Sequence, residues 1–318
     1  MQEPPIRDTA SISLQNEHLL VSVLPAAGGN ITELVDRRTG RNWLWTNPHV
    51  PVTQPRVGLD YGKELDSGGW DEILFSIGPD DLKIPGCSSR RVPDHGDLVR
   101  QAWSVLETDD SALTCMLGIS GQLLNYRFER IVVLAEREPV IQLHYELTNN
   151  ESFPWPWYWS AHALLSAEPG MQIELPSAQP FRLDDATSEH DPAERIRRWP
   201  DLDLAEHVSV DLSNSFAEKK FAHKIFVDSP EDGSVRVAAP GNRETLTMSF
   251  DRGQLPWLGL WINNEGWSGC GSAPYRNLGL EPCTTPYDSV AEAIANDAVD
   301  WIQPGETRRW SLSVELTA

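Results

Sequence analysis

The sequence predicts an all-β fold of packed sheets or a closed barrel, and three observations carry that expectation. Apolar and polar residues alternate with a period of two in run after run, turn-forming clusters separate the runs, and helix signals are few and short. Val140–Leu147 is the cleanest run, with Ile141, Leu143, Tyr145 and Leu147 on one face and Gln142, His144 and Glu146 on the other. Thr245–Phe250 sets Leu246, Met248 and Phe250 on one face, and Trp310–Leu316 alternates to its end. His18–Leu24 is a short apolar-rich run, and Arg127–Leu134 mixes Phe128, Ile131, Val132 and Val133 with charges. Each reads as a half-buried antiparallel strand. Turn chemistry recurs at Ala27-Gly28-Gly29-Asn30, Arg38-Thr39-Gly40, Glu231-Asp232-Gly233 and Gln303-Pro304-Gly305-Glu306.

Two short segments carry helix signals. Asp191–Arg198 has Pro192 at a first helical position, and Ser289–Asn296 is the other. Residues 184–207 are polar and charged and read as a long excursion or lid. No repeat and no linker-like shift in composition interrupts the chain, so one domain is expected over residues 1–318.

With 318 residues, 40% apolar and 23% charged, the chain can bury a substantial core. Its net charge of −21 opposes phosphate backbones and anionic lipid, so neither nucleic acid nor a membrane is an expected partner. Cys87, Cys115, Cys270 and Cys283 form no C-x-x-C pair and lie near no His at zinc-finger spacing, so no metal site is expected. The first residues show no basic-then-apolar leader and no run reaches membrane-spanning length, which makes the cytoplasm the expected compartment. Thirteen tryptophans are an unusual number; each either packs in a β core or offers an indole face to a sugar.

Four local constellations hold chemistry. Ser67-Gly-Gly-Trp70-Asp71-Glu72 is either a turn with solvated acids or a ligand loop, because two glycines allow a tight turn or a close approach. In Pro93-Asp94-His95-Gly96 a carboxylate stands beside a turn histidine and can orient its ring, where an ordinary surface His would also fit. In the segment Trp155–Leu165, an extended chain would set Tyr158, Ser160 and His162 on one face and Trp155, Trp157, Trp159 and Ala161 on the other. His162 is there either a satisfied core side chain or a proton donor. Asn277, Gly279 and Glu281 share a face, as do Trp257, Gly259, Trp261 and Asn263, and a mid-strand glycine often marks close approach.

Taken in order, these segments resemble the aldose 1-epimerase (galactose mutarotase-like) superfamily. Residues 24–43 resemble its first hairpin, the strand around His162 with Pro169-Gly170 its histidine segment, and Leu278-Gly-Leu-Glu-Pro282 with Pro286-Tyr-Asp288-Ser289 its glutamate segment. Residues 303–312 resemble its closing hairpin, and the whole likeness spans residues 10 to 316. The resemblance implies a large antiparallel β-sandwich with a concave cleft. It implies interconversion of α and β anomers of a free aldose, with His162 as acid, Glu281 as base and His95 as a second donor near the ring oxygen. Asp71, Trp70, Trp261, Asn263 and Tyr158 are the implied sugar contacts. Proton transfer alone requires no cofactor and no metal.

The sequence also departs from that pattern. The galactose enzymes carry Asn-Arg near Gly69-Trp70-Asp71 and an Asn where Ala161 precedes His162, and their sugar-binding Asp has no counterpart outside, at best, residues 218–228. A neutral aldose is the expected substrate. An anionic sugar would instead need a fork drawn from Arg90, Arg91, Arg276, Lys219 and Lys220. A non-catalytic sugar-binding protein, and a glycosidase using Asp71 and Glu281 as its carboxyl pair, are the competing classes.

Overall fold

The computed structural model describes residues 11–56, 58–109, 111–176, 179–183, 196–205, 208–217, 219–269, 271 and 273–318. Two antiparallel sheets, of thirteen and eight strands, face each other as a β-sandwich. The expected runs fall in strands Leu19–Leu24, Tyr126–Leu134, Val140–Asn149, Thr245–Phe250 and Thr307–Thr317. Alternation decides which side chains enter the core. Ile141, Leu143, Tyr145 and Leu147 are buried while Gln142 and His144 are exposed.

Aromatic side chains fill the space between the sheets. Trp159 of the larger sheet meets Trp310 of the smaller at 4.9 Å between ring centroids, and Tyr145 stacks on Trp310 at 5.3 Å. Trp43, Trp70, Trp155 and Trp159 are among the largest fully buried side chains, so most of the indole surplus is core. An ion pair also crosses this interior. Glu72 accepts from Arg130 at 3.0 Å and from Tyr145 at 2.9 Å, and the Arg130 guanidinium lies 5.1 Å from the Trp103 ring centroid. Both charged side chains are fully enclosed. Burial pushes the Glu72 carboxyl up to about 7, while Arg130 and Tyr145 pull it back.

Local helix signals fare differently. Val290–Ala295 is helical, and its cap Ser289 accepts from the Glu292 N–H at 3.1 Å. The Asp191–Arg198 expectation is corrected where it can be: 191–195 lie outside the described residues, but Ile196–Arg198 is a strand paired with Pro180–Leu183. Strand pairing there overrides a helix-start signal that only Pro192 supplied. Of the polar excursion, residues 184–195 and 206–207 lie outside the described residues, and Asp201–Ala205 is a strand paired with Val208–Asp211. No described helix is long and apolar enough to cross a membrane.

Candidate active site

Five neighbouring strands of the larger sheet build the site: Trp70–Leu74, Trp159–Ser166, Arg276–Cys283, Trp257–Asn264 and Phe221–Asp228, in that spatial order. Register brings the chemistry together. Asp71 pairs with His162. Ser160 pairs with Cys283 and Ala163 with Leu280, which sets His162 opposite Glu281. Gly279 pairs with Trp261, and Trp261 with Lys224. Directly opposed residues share a face, so Asp71, His162, Glu281, Trp261 and Lys224 all project to the side away from the smaller sheet. Trp70 and Glu72, one residue off, project the other way.

The side chains converge on a cleft of ≈ 300 Å³, at the small end of the range for small-molecule sites. Its polar lining includes Asp66, Asp94, His95, His162, Lys224, Asn277, Glu281 and Asp288, with Tyr61, Trp261, Trp267 and Tyr275 as its aromatic walls. A larger depression of ≈ 530 Å³ adjoins the cleft, sharing Tyr61 and Asp94, and one of ≈ 710 Å³ lies elsewhere, but neither contains the His162–Glu281 pairing. Chemistry rather than size marks the site.

Two glycines make room for the Glu281 side chain. A Cβ at Gly279 would lie 2.7 Å from Glu281 Oε1, and one at Gly259 would lie 3.2 Å from both Glu281 Cβ and Lys224 Cε. Glu281 is fully buried, and its Oε2 takes a short ion-paired hydrogen bond from Lys224 Nζ. Its Oε1 has no hydrogen-bond partner among the described residues. Lys224 also stands 3.8 Å from Asp288 Oδ1. Burial alone would lower the Lys224 pKa, but Glu281 and Asp288 outweigh it and hold the ammonium above its usual value.

His162 is surrounded differently. Burial, then His95 and Lys224, push its pKa well below that of an ordinary histidine, so the ring is neutral at pH 7. Its Nδ1 is 3.4 Å from the Tyr61 hydroxyl, which lies 3.1 Å from Asp71 Oδ2. Tyr61 comes from a single π-helical turn, Tyr61–Leu65, capped by Asp60, whose side chain accepts from Lys63 N–H at 3.1 Å. The Tyr61 ring stacks on His95 at 3.6 Å, and His95 meets His162 edge-on at 5.1 Å. His95 holds φ at 62°, its N–H donates to Ile77 O at 2.6 Å, and Asp94 Oδ1 contacts its Nδ1 at 2.9 Å. Gly96 completes the turn, since a Cβ there would lie 2.0 Å from Leu74 O.

Of the expected site residues, His162, Glu281, His95 and Trp261 line the cleft, and the other four do not. Trp70 is 1% exposed and turned into the core by strand alternation. Asp71 is on the correct face but lies behind Tyr61, so it touches the phenol rather than the cleft. Tyr158 falls in the break between strands Trp155–Pro156 and Trp159–Ser166, and its hydroxyl donates to Tyr287 O at 2.8 Å. Tyr158 thereby supports the loop that carries Asp288. Asn263 is fully buried. It accepts from Trp267 N–H at 3.0 Å and donates to Trp267 O at 3.2 Å, fixing the loop that presents the Trp267 indole.

The glycines of Ser67-Gly68-Gly69 serve backbone packing. Added Cβ atoms would lie 2.2 Å from Trp45 O and 2.2 Å from Asn30 Oδ1. Two contributors, Tyr61 and Asp66, lie in an aperiodic stretch that carried no usable signal; Lys224 and Asp288 fall in segments the resemblance pointed to, 218–228 and 286–289, but without an assigned role. Asp66 is raised to about 6 by burial. The segment around residues 218–228, expected to hold a sugar-binding acid, contributes Lys224 instead, and Asp228 is exposed.

None of the candidate anion-fork residues lines the cleft. Arg91 pairs with Asp81, and Arg276 and Lys220 both pair with Glu265. Arg90 is exposed, and Lys219 donates to Ser209 O. Asp71 and Glu281 do not flank a shared space, because Tyr61 stands between Asp71 and the cleft. Among the described residues, no three His, Cys, Asp or Glu side chains gather as a metal cluster would.

This arrangement of sheets and cleft defines a galactose mutarotase-like fold. A putative aldose 1-epimerase from Escherichia coli superposes with a TM-score of 0.68 at 14% identity, covering 96% of this chain and 98% of that one. A GalM/aldose epimerase homologue from C. elegans does so with a TM-score of 0.68 at 13% identity, covering 98% and 99%. A Synechocystis protein reaches 0.73 at 16% identity, covering 100% and 98%. A sequence search of curated proteins found no match. The chain belongs to the family described as Domain of unknown function (DUF4432), whose model matches residues 7–316.

Proposed function

We propose that the protein is a mutarotase of the aldose 1-epimerase type, acting on a free, uncharged aldose. The observation that carries this reading is Glu281 Oε1, a buried acceptor without a partner, held in the cleft opposite a neutral His162. Glu281 takes the anomeric hydroxyl proton as the C1–O5 bond opens, and His162 delivers a proton to the ring oxygen. The open aldehyde turns about C1–C2 and closes on its other face. Lys224 holds the Glu281 carboxylate in place through its ion pair with Oε2, and His95, oriented by Asp94, is a second donor toward the sugar. Trp261, whose Nε1–H donates to Asn277 Oδ1 at 3.2 Å, offers an indole face to the pyranose. The reaction moves protons only, so it calls for neither metal nor organic cofactor.

Charge favours an uncharged substrate. Asp66, Asp94, Glu281 and Asp288 line the cleft against the single ammonium of Lys224, which Glu281 already engages. Neutral hydroxyls satisfy such acceptors, whereas a phosphate or sulfonate meets repulsion. The test is anomer exchange across a panel of neutral, phosphorylated and acidic aldoses, followed by NMR. Glu281→Gln should retain the fold and lose about 10²–10⁴-fold in kcat. Near-wild-type exchange in that variant removes the base assignment, and inactivity of the wild type on every aldose removes the reading.

A further inference from the structure

We propose that Asp71, Tyr61 and His162 form a proton relay, in which Asp71 holds the proton that replaces the one His162 gives to the sugar ring oxygen. What stands at the cleft end rests on the mutarotase reading; the chain behind it rests on the contacts of Asp71, Tyr61 and His162 and on the burial of Asp71. Asp71 and His162 are paired on adjacent strands, and the Tyr61 hydroxyl, brought in from the π-helical turn, touches both, at 3.1 and 3.4 Å. Asp71 lies behind Tyr61 and out of the cleft, while the Tyr61 ring forms part of the cleft wall and its hydroxyl faces Asp71 and His162. Asp71 and Tyr61 are positioning residues that act through the Nδ1 side of the His162 ring, while Nε2 has no hydrogen-bond partner among the described residues and remains for the cleft.

The chemistry requires such a chain. A neutral imidazole that simply lost its Nε2 proton would be left as an imidazolate, a strongly basic anion that burial makes costly to form. The cost disappears if Nδ1 gains a proton as Nε2 loses one. Asp71 can supply it. Burial first, then the charge of Asp66, raises its pKa to about 8, so a carboxylic acid stands behind Tyr61 at neutral pH. Tyr61 itself does not ionise, because burial and the nearby Asp71 and Asp66 raise its pKa well above normal.

The step then balances. The Asp71 O–H proton passes to Tyr61 Oη, the Tyr61 proton passes to His162 Nδ1, and the Nε2 proton passes to O5. The C1–O5 bond breaks with its electron pair on O5, which becomes the C5 hydroxyl. Glu281 takes the anomeric proton, and that O–H pair becomes the second bond of the aldehyde. Asp71 is left ionised, Glu281 protonated and His162 neutral in its other tautomer; ring closure reverses every transfer and resets the chain. The charged groups facing this line are Asp66 and Asp94 toward Tyr61, Glu72 and Arg130 toward Asp71 from the opposite side of the sheet, and His95 and Lys224 toward His162.

One consequence is independent of turnover. A protonated Asp71 donates toward Tyr61, Tyr61 donates to Nδ1, and His162 carries its proton on Nε2. An ionised Asp71 turns the Tyr61 hydroxyl toward itself, and the His162 proton moves to Nδ1. Long-range ¹H–¹⁵N NMR of the ligand-free, ¹⁵N-labelled protein reads that tautomer directly. The Nε2–H form should give way to Nδ1–H as pH rises through about 8. Tyr61→Phe should abolish the switch. Asp71→Asn, whose amide still donates to Tyr61 but cannot pass a proton on, should hold Nε2–H at every pH while kcat falls about 10²-fold with KM little changed.

A wild-type tautomer constant from pH 6 to 10 overturns the relay. So does a switch that survives Tyr61→Phe with the same midpoint, or an Asp71→Asn enzyme with wild-type kcat. A protein that exchanges no aldose refutes the mutarotase reading instead, and the tautomer measurements then decide the relay on their own.

Discussion

Asp71 and Glu72 are adjacent residues of one strand, both buried, and they live in opposite worlds. Glu72 faces the smaller sheet, where Arg130 and Tyr145 donate to it and the charges stand one to one. Asp71 faces the cleft side, where among the described residues its one side-chain hydrogen-bond partner is the Tyr61 hydroxyl, and its carboxylate neighbours Asp66 and Glu72 repel it. The core cluster is closed and its charges are matched, although Glu72 Oε2 and Arg130 Nε have no hydrogen-bond partner among the described residues. The cleft cluster is open to a cavity, carries more acid than base and keeps an acceptor of Glu281 unmatched. Burial alone therefore does not mark a functional polar group. The imbalance beside an open space does, because only a ligand can relieve it.

That comparison can be broken from the core side first. Arg130→Ala leaves Glu72 buried without its counter-ion and should cost about 3–5 kcal/mol of stability in urea unfolding. Anomer exchange per folded molecule should hardly change. A mild stability loss coupled to lost turnover would merge the two clusters into one.

On the cleft side the weights should reverse. Gly279→Ala puts a methyl 2.7 Å from Glu281 Oε1 and 3.0 Å from Trp261 Cβ. The carboxylate must shift, and a displacement near 1 Å can cost about 10²-fold in rate. The expected result is a kcat loss that outweighs the change in melting temperature. Unaltered kcat would mean that the Glu281 position is not what the glycine protects.

The smallest effect separates the two carboxyls by pH. The folded pKa of each lies above its unfolded value, Asp71 at about 8 and Glu72 at about 7. The folded state therefore holds more protons, and the stability each contributes is full below its unfolded value near 4 and is lost as pH rises through the folded value. The slope is at most roughly 1.4 kcal/mol per pH unit per group. Asp71→Asn should flatten the decline up to pH about 8, and Glu72→Gln only to about 7. Identical slopes in both variants would deny the difference between the two faces.

Much of this was legible in the residues. Alternation announced the strands, because each has one face in a core and one face outside, and the likeness to the epimerases singled out His162 and Glu281. Strand parity could also have corrected one expectation. Trp70 and Asp71 are neighbours on a strand, so they never share a face, and only one can look toward a sugar. Tyr158 had the right parity and was lost to a strand break two residues past Pro156. Lys224 gave no warning, since a lysine in an alternating run reads as solvent-facing; only the register that sets it beside Trp261 puts it beneath Glu281. Tyr61 was invisible for a different reason. A single π-helical turn has no repeat long enough to leave a periodic trace.

Among the thirteen tryptophans, the rim residue Trp267 stands apart. It is 54% exposed, while the indoles between the sheets are sealed. Asn263 clamps its backbone from both sides, so the ring is displayed on a fixed mount at the mouth of the cleft. Its emission is thus the part of the intrinsic fluorescence that water and a soluble quencher reach most readily. A molecule settling in the cleft would shade that ring, giving the protein a built-in optical gauge of occupancy that needs neither label nor turnover.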